Sequence, residues 1–335
     1  MEIFDVAIIG AGPVGLFTAF QAGMNELKSC IIDTLEDVGG QCTALYPEKP
    51  IYDIPGFSLI TAQQLIKNLQ DQLLPFSCKM FLNETCISIK KVDKLWVLRC
   101  KHNLILAKTI IIAAGAGFFR ARKPPLANIE EFEKDSVFYH VANKEKFRNK
   151  IVTIAGGGDS ALDWALVLAT DVAKKVNLVH RRNSFSALQR TVSSIKKLGS
   201  TGQINLVTPF QLSGLRGKNN KLTHISVKSL EGEEQELKTD FLLPFFGMST
   251  HLGLIHDWGL EISQKHIKVE HETMQTCLTG VYAVGDICHY PGKLKFISTG
   301  FAEATRAVHS AYDFINPNVT RHFEHSTTKG VKSNV

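Results

Sequence analysis

A run of strand-forming residues leading straight into closely spaced glycines occurs twice in this chain, and that repeat constrains its fold more than any other feature. In the first copy, FDVAIIGAGPVGLFTAF, apolar β-branched residues predict a strand over 4–9. Gly10, Gly12 and Gly15 follow in G-x-G-x-x-G spacing, and then an apolar helix. Such glycines serve a tight turn, close backbone approach to a pyrophosphate and close helix-to-strand packing. The helix N-terminus offers free N–H groups and partial positive charge to phosphates. A second strand, SCIIDT, ends at Asp33, 23 residues beyond Gly10, where a carboxylate can accept hydrogen bonds from ribose hydroxyls.

The second copy, KIVTIAGGGDSALDWALVLA, predicts a strand over 151–155, Gly156, Gly158 and Ala161 in G-x-G-x-x-A spacing, and a helix opened by Asp159 and Ser160. Its second strand ends in His180, Arg181 and Arg182, 24 to 26 residues after Gly156. A carboxylate there would repel a 2′-phosphate, whereas guanidinium groups bind one through paired hydrogen bonds. The second unit therefore predicts NADP rather than NAD. Two different dinucleotides on one chain imply electron transfer between them, which makes the first ligand FAD. TIIIAAGAG, 109–117, is an apolar strand ending in small residues, and GVYAVGDIC, 280–288, is a strand running into Gly285-Asp286. The second of these lets the backbone approach a flavin while Asp286 accepts from its ribityl chain.

The order of these pieces predicts the architecture. The first nucleotide unit starts at residue 1, yet the Gly-Asp strand follows the second unit, so the second domain is inserted into the first. The expected fold class is α/β, with two Rossmann-like three-layer nucleotide-binding domains. The FAD-binding domain comprises residues 1–117 and 281–335, and the NADP-binding domain residues 118–280. The crossings fall in GAGFFRARKPP, 115–125, and TCLTGVY, 276–282. A helix over 301–315 returns to the FAD domain, and a polar tail follows from Asn316.

Composition excludes several other classes. A net charge of +6 over 335 residues, with no long Lys/Arg run, is too little for a nucleic-acid footprint. Residues 6–25 lack charge over nearly a membrane span, but their glycines and β-branched residues read as strand, turn and helix. Acidic Glu2 and Asp5 stand where a signal peptide would be basic, so a cytoplasmic protein is expected. Seven cysteines without C-x-x-C spacing give neither a disulfide framework nor a thiolate cage. The twelve histidines show no H-E-x-x-H arrangement, and no metal is expected.

The stretches GAGPVGLFTAFQAGM, GGQCTALYPEKPIYDIPGF, GGGDSALDWAL, HRR, GDIC and HST in the tail resemble two-domain flavoprotein reductases built like low-molecular-weight thioredoxin reductase. Within that group the chain is most similar to ferredoxin–NADP reductases of the thioredoxin-reductase-like type. The resemblance implies FAD contacts from Asp33, Gln41, Tyr46, Cys86 through its backbone, Phe119, Asp286 and Thr327. It implies that Tyr46 stacks on one face of the flavin ring and that His325 covers the other, from its own or a partner subunit's tail. A homodimer and a reorientation of the two domains about Gly115, Gly117 and Gly280 are implied in the same way.

The chain departs from thioredoxin reductases at one decisive place. Those enzymes carry C-x-x-C just ahead of the second glycine motif, and this chain has no cysteine between residues 101 and 276. Cys42 likewise has no second thiol nearby in sequence, and disulfide exchange needs one sulfur to attack and one to resolve. The expected activity is therefore hydride exchange between NADPH and FAD, followed by one-electron transfers to or from ferredoxin or flavodoxin. No side-chain nucleophile is required. Arg120, Arg122, Lys123, Lys293 and Lys295 are candidates for steering an acidic partner. The alternatives are a disulfide reductase, an FAD monooxygenase, whose F-x-G-x-x-x-H signature is lacking, and a redox sensor that binds both nucleotides without turnover.

Overall fold

The computed structural model describes residues 2–133, 135–319, 327 and 330. The chain divides into two compact units: Met1–Phe118 with Thr250–Val335, and Phe119–Ser249.

The first unit opens with strand β1 (Ile3–Ile9), helix α1 (Pro13–Met24) and strand β2 (Ser29–Ile32). β1 pairs in parallel with β2, Ile8 opposite Ile31. Val6, Ala7 and Ile8 are fully buried, as a strand covered on both faces requires. After the short helix α2 (Gln41–Ala44), helix α3 (Ala62–Leu73) is capped by Thr61, whose Oγ1 accepts from the Gln64 N–H at 3.2 Å. Its Leu65, Ile66, Leu69 and Leu73 form one buried face. Strands β3 (Cys78–Phe81), β4 (Cys86–Val92), β5 (Leu95–Cys100) and β6 (Leu104–Ile112) complete this half. The strand order is β3-β2-β1-β6-β5-β4.

In the second unit, strands β7 (Ile151–Ala155), β8 (Lys175–Val179), β9 (Ile204–Val207) and β13 (Phe241–Pro244) form a parallel sheet in the order β9-β8-β7-β13. Helices α4 (Asp159–Asp171) and α5 (Gln189–Ser200) connect them. Strands β10 (Phe210–Lys218), β11 (Lys221–Ser229) and β12 (Glu234–Lys238) make a separate antiparallel sheet. The parallel sheet buries a polar chain. Asn177 donates to Thr153 Oγ1 at 3.2 Å, and the Thr153 hydroxyl lies 2.9 Å from that of Thr239. Each buried polar group there finds a partner, as burial demands.

The chain rejoins the first unit earlier than the expected residue 281. Leu252, Ile255, Trp258, Leu260, Ile267, Val269 and Met274 all belong to the first unit's core. Strand β14 (Val281–Ala283) then pairs in parallel with β6, Tyr282 opposite Ile111. β6 thus serves two neighbours on one edge, with Leu104–Ala107 against antiparallel β5 and Ile110–Ile112 against β14. The final helix, α6 (Ile297–Ile315), starts four residues before the expected 301 and packs on α1. Among the described residues no helix is long and apolar enough to cross a membrane.

Candidate functional site

The first glycine loop is shaped by contacts that exclude side chains. A Cβ on Gly10, whose φ is +112°, would run into the carbonyl of Ala113, and one on Gly15 into the carbonyl of Gly10. Gly12 is different. It is the extended N-cap of α1, and nothing lies within 4 Å of where its Cβ would point. The loop is closed on its inner side and open beside the helix N-terminus, the form of a phosphate cradle.

Asp33 sits just beyond β2 and ties this loop down. Its Oδ2 accepts from the Ala11 N–H at 2.5 Å and its Oδ1 from the Leu35 N–H at 2.8 Å. Burial raises its pKa, against the pull of these hydrogen bonds. The Asp33 carbonyl accepts from the Glu84 N–H at 2.8 Å, which brings the start of β4 and hence Cys86 beside the same strand end. The Cys86 side chain is buried and opposes Cys100 across the β4–β5 ladder.

The Gly39-Gly40 turn seats α2 against the cradle. The Gly39 N–H donates to the Ala11 carbonyl at 2.8 Å, and a Cβ on Gly40 would lie 3.2 Å from Gly12 Cα. Gln41 Nε2 is 3.5 Å from the Cβ position of Gly115, at the end of the β6 connection. Cys42 is buried, with its Sγ 3.7 Å from the Tyr46 hydroxyl. Burial pushes both groups' pKa values upward, and the charge of Asp286 adds to the effect on each. The Asp286 turn, Gly285–Ile287, rests on α1, with the Gly285 Cβ position 3.5 Å from Val14.

Gly10, Gly12, Gly15, Asp33, Gln41, Tyr46, Cys86 and Asp286 are thus gathered in the first unit. Thr327 is exposed in the tail, and Phe119 belongs to the second unit by the division of the chain. His325 lies outside the described residues.

The second loop follows the same plan. A Cβ on Gly156 would lie 2.6 Å from the Phe245 carbonyl oxygen and 2.9 Å from Ala161 Cβ. Gly158 is the extended N-cap of α4, and Ser160 is exposed in the helix's first turn. Asp159 is engaged: its Oδ1 accepts from the Leu188 N–H at 2.9 Å, while the Ser186 N–H donates to the Gly157 carbonyl at 2.7 Å. These bonds fasten the segment after β8 over the loop. His180 is packed rather than free, with its ring against Gly157 on one side and stacked on Phe185 at 5.4 Å. Burial holds its pKa below the ordinary value, and the neighbouring Arg181 and Arg182 act in the same direction. Arg181 and Arg182 are exposed.

Residues 4–311 match the family described as pyridine nucleotide-disulphide oxidoreductase. The chain belongs to that family. It is 50% identical over 326 residues to the ferredoxin–NADP reductase of Rickettsia felis, covering 97% of each chain. It is 51% identical over 330 residues to that of Rickettsia akari, covering 98% of each. The fold is that of T. acidophilum thioredoxin reductase, with a TM-score of 0.78 at 24% identity over 93% of this chain and 99% of that one. Lactococcus lactis thioredoxin reductase gives a TM-score of 0.77 at 24% identity, covering 94% and 99%. At that identity the likeness speaks for the fold alone.

Three of the basic residues expected to steer a partner have neighbours of their own within the chain. Lys293 is not a surface cation: its side chain is 3% exposed and paired with Glu303, which is 1% exposed. Lys295 is exposed, with its Nζ 2.8 Å from His266 Nε2, and Lys123 pairs with Glu133 at 2.6 Å. A sequence signal for Glu303 existed. It sits in the buried stripe of α6 formed by Gly300, Ala304, Ala307, Val308 and Ala311, where a carboxylate needs a partner.

Proposed function

We propose that the protein is an FAD-dependent ferredoxin–NADP(+) reductase, with ferredoxin or flavodoxin as its one-electron partner. The reading is carried by near-full-length identity to reductases of that name in a chain with two dinucleotide cradles and no redox dithiol. Among the described residues, Cys42 has a tyrosine hydroxyl and not a second thiol beside its sulfur. The first unit binds FAD and the second NADP(H). The protein works as a cytoplasmic homodimer, and no nucleic acid or membrane takes part.

The residues fit both ligands. The open side of Gly12 at the N-terminus of α1 receives the FAD pyrophosphate. Asp33 keeps lone pairs for ribose hydroxyls after accepting its two backbone bonds. Asp286 accepts from the ribityl chain, with Gln41 and Cys86 as further contacts. Tyr46 lies against one face of the ring, and burial keeps its hydroxyl protonated. Thr327 is a further contact from the tail.

In the second unit Gly156, Gly158 and Ser160 receive the NADP pyrophosphate, with Asp159 fixing the loop. Arg181 and Arg182 hold the 2′-phosphate, and His180 forms the floor beneath them. When bound, FAD supplies the conversion between two-electron and one-electron transfer. The chain's own residues bind, orient and shield, and none is needed as nucleophile or proton donor.

The test is NADPH-driven, FAD-dependent reduction of cytochrome c. Addition of a ferredoxin is expected to stimulate the rate. No stimulation by a cognate ferredoxin or flavodoxin would remove the proposal.

A further inference from the structure

The first unit buries an ion pair, Lys293–Glu303, beside the Gly285–Asp286 turn. Glu303, on α6, is 1% exposed, and four donors converge on its carboxylate. Oε2 accepts from the Gly285 N–H at 2.7 Å and lies 3.7 Å from Cys288 Sγ. Oε1 accepts from the Tyr290 hydroxyl at 2.6 Å and pairs with Lys293 Nζ. Burial and the carboxylate itself push the Tyr290 pKa upward, so its hydroxyl keeps the proton that it donates.

All four donors come from one stretch, residues 285–293, and all meet one side chain on a neighbouring helix. A buried ion pair adds little stability over well-packed apolar groups, because desolvation offsets the attraction. What it does supply is direction. Gly285 has a φ of +77°, so its turn is formed by a residue with many accessible conformations. The Glu303 carboxylate accepts its N–H and selects one of them. Gly285 and Ile287 are buried in that turn, while Asp286 between them stays half-exposed.

We propose that Glu303 is a positioning residue for FAD: with Lys293 and Tyr290 it locks the Gly285–Asp286 turn in the conformation that presents Asp286 to the cofactor. This rests on the reading of the first unit as the FAD site.

The test uses the full-length holoenzyme and two electrically matched double variants. Glu303→Gln with Lys293→Met keeps an acceptor for the Gly285 N–H and leaves no unpaired buried charge. Glu303→Leu with Lys293→Met is equally neutral but has no acceptor. FAD release is followed by flavin fluorescence on dilution, and the midpoint potential and visible spectrum of bound FAD are recorded. Binding of 2′,5′-ADP reports on the second unit.

The glutamine pair, which keeps the acceptor for the Gly285 N–H but loses the Lys293 contact, is expected to hold FAD better than the leucine pair does. The leucine pair is expected to release it at least about tenfold more readily, the loss of one charge-assisted hydrogen bond. Its flavin spectrum and potential should shift, with 2′,5′-ADP binding unchanged. Equal FAD retention, spectrum and potential in both pairs would overturn the proposal. Should the leucine pair fail to fold, Tyr290→Phe decides the matter. Removing that donor should hasten FAD release and move the flavin spectrum, and no change in either would overturn it. If the wild-type protein bound no FAD, the assignment of the first unit would fail. Wild-type binding with indifferent variants would defeat only the role of Glu303.

Discussion

The imidazole of His180 lies against the backbone of Gly157, in the space that a Cβ on that glycine would occupy. The strand end that carries the two arginines is therefore seated directly on the phosphate loop. Gly157→Ala should push the ring away and tilt that strand end. Overpacking of this kind costs roughly 1–3 kcal/mol, and borne by the nucleotide-bound state it should raise the KM for NADPH by about fivefold or more. FAD content should stay the same. Steady-state kinetics with NADPH and 2′,5′-ADP binding would check this, and an unchanged KM would mean that the packing is not transmitted to the nucleotide.

Arg181 and Arg182 are solvent-facing cations beyond β8. Replacing both with leucine should remove charge-assisted bonds to the 2′-phosphate and leave the rest of the coenzyme's contacts alone. The ratio of kcat/KM for NADPH over NADH is expected to fall on the order of 100-fold, with NADH itself little affected. Retained preference for NADPH would place 2′-phosphate recognition elsewhere.

Asp33 spends one carboxylate oxygen on Ala11 and the other on Leu35. A carboxamide in its place would offer a single acceptor oxygen, so Asp33→Asn should strand one buried N–H at a cost of about 1–3 kcal/mol. The thermal midpoint should drop and FAD should bind more weakly. Differential scanning calorimetry with added FAD measures both, and a variant as stable as wild type would show that the loop stands without this tie.

Acid should weaken the second unit through His180. Its folded-state pKa is held below 6.5 by burial, with Arg181 and Arg182 contributing. Above the unfolded value both states are neutral and the full stability is present. As the pH falls through 6.5 the unfolded chain takes up a proton that the folded one lacks, and stability declines until the folded pKa is passed. The thermal midpoint should thus decrease on acidification from about pH 8 to 5.5, and less steeply in His180→Phe, which keeps the stack on Phe185. Identical slopes would exclude His180 as a source.

The glycine loops were legible in the sequence because close backbone approach admits one residue type at fixed spacing. Gly10, Gly15 and Gly156 are found in the contacts that their spacing implies. The return to the first unit was not legible. Residues 252–280 form a 3₁₀ turn and strands of two or three residues, too short to show a period. Lys293 misled for another reason. Lysine is ordinarily a surface residue, and the carboxylate that buries it stands ten positions later on a helix. His180 shares a motif with two arginines, but aromatic packing on Gly157 and Phe185 leaves no trace in residue spacing.

Strand β6 has a consequence for the order in which the molecule is made. Its Ile110–Ile112 edge stays unmated until Val281–Ala283 leaves the ribosome, well after the whole of Phe119–Ser249 has emerged. The nascent chain thus carries an apolar seam through the synthesis of an entire intervening unit, a stage at which a bare strand edge invites pairing with other chains. The later-starting unit can close its core first, and the earlier one is sealed only once Val281–Ala283 has emerged.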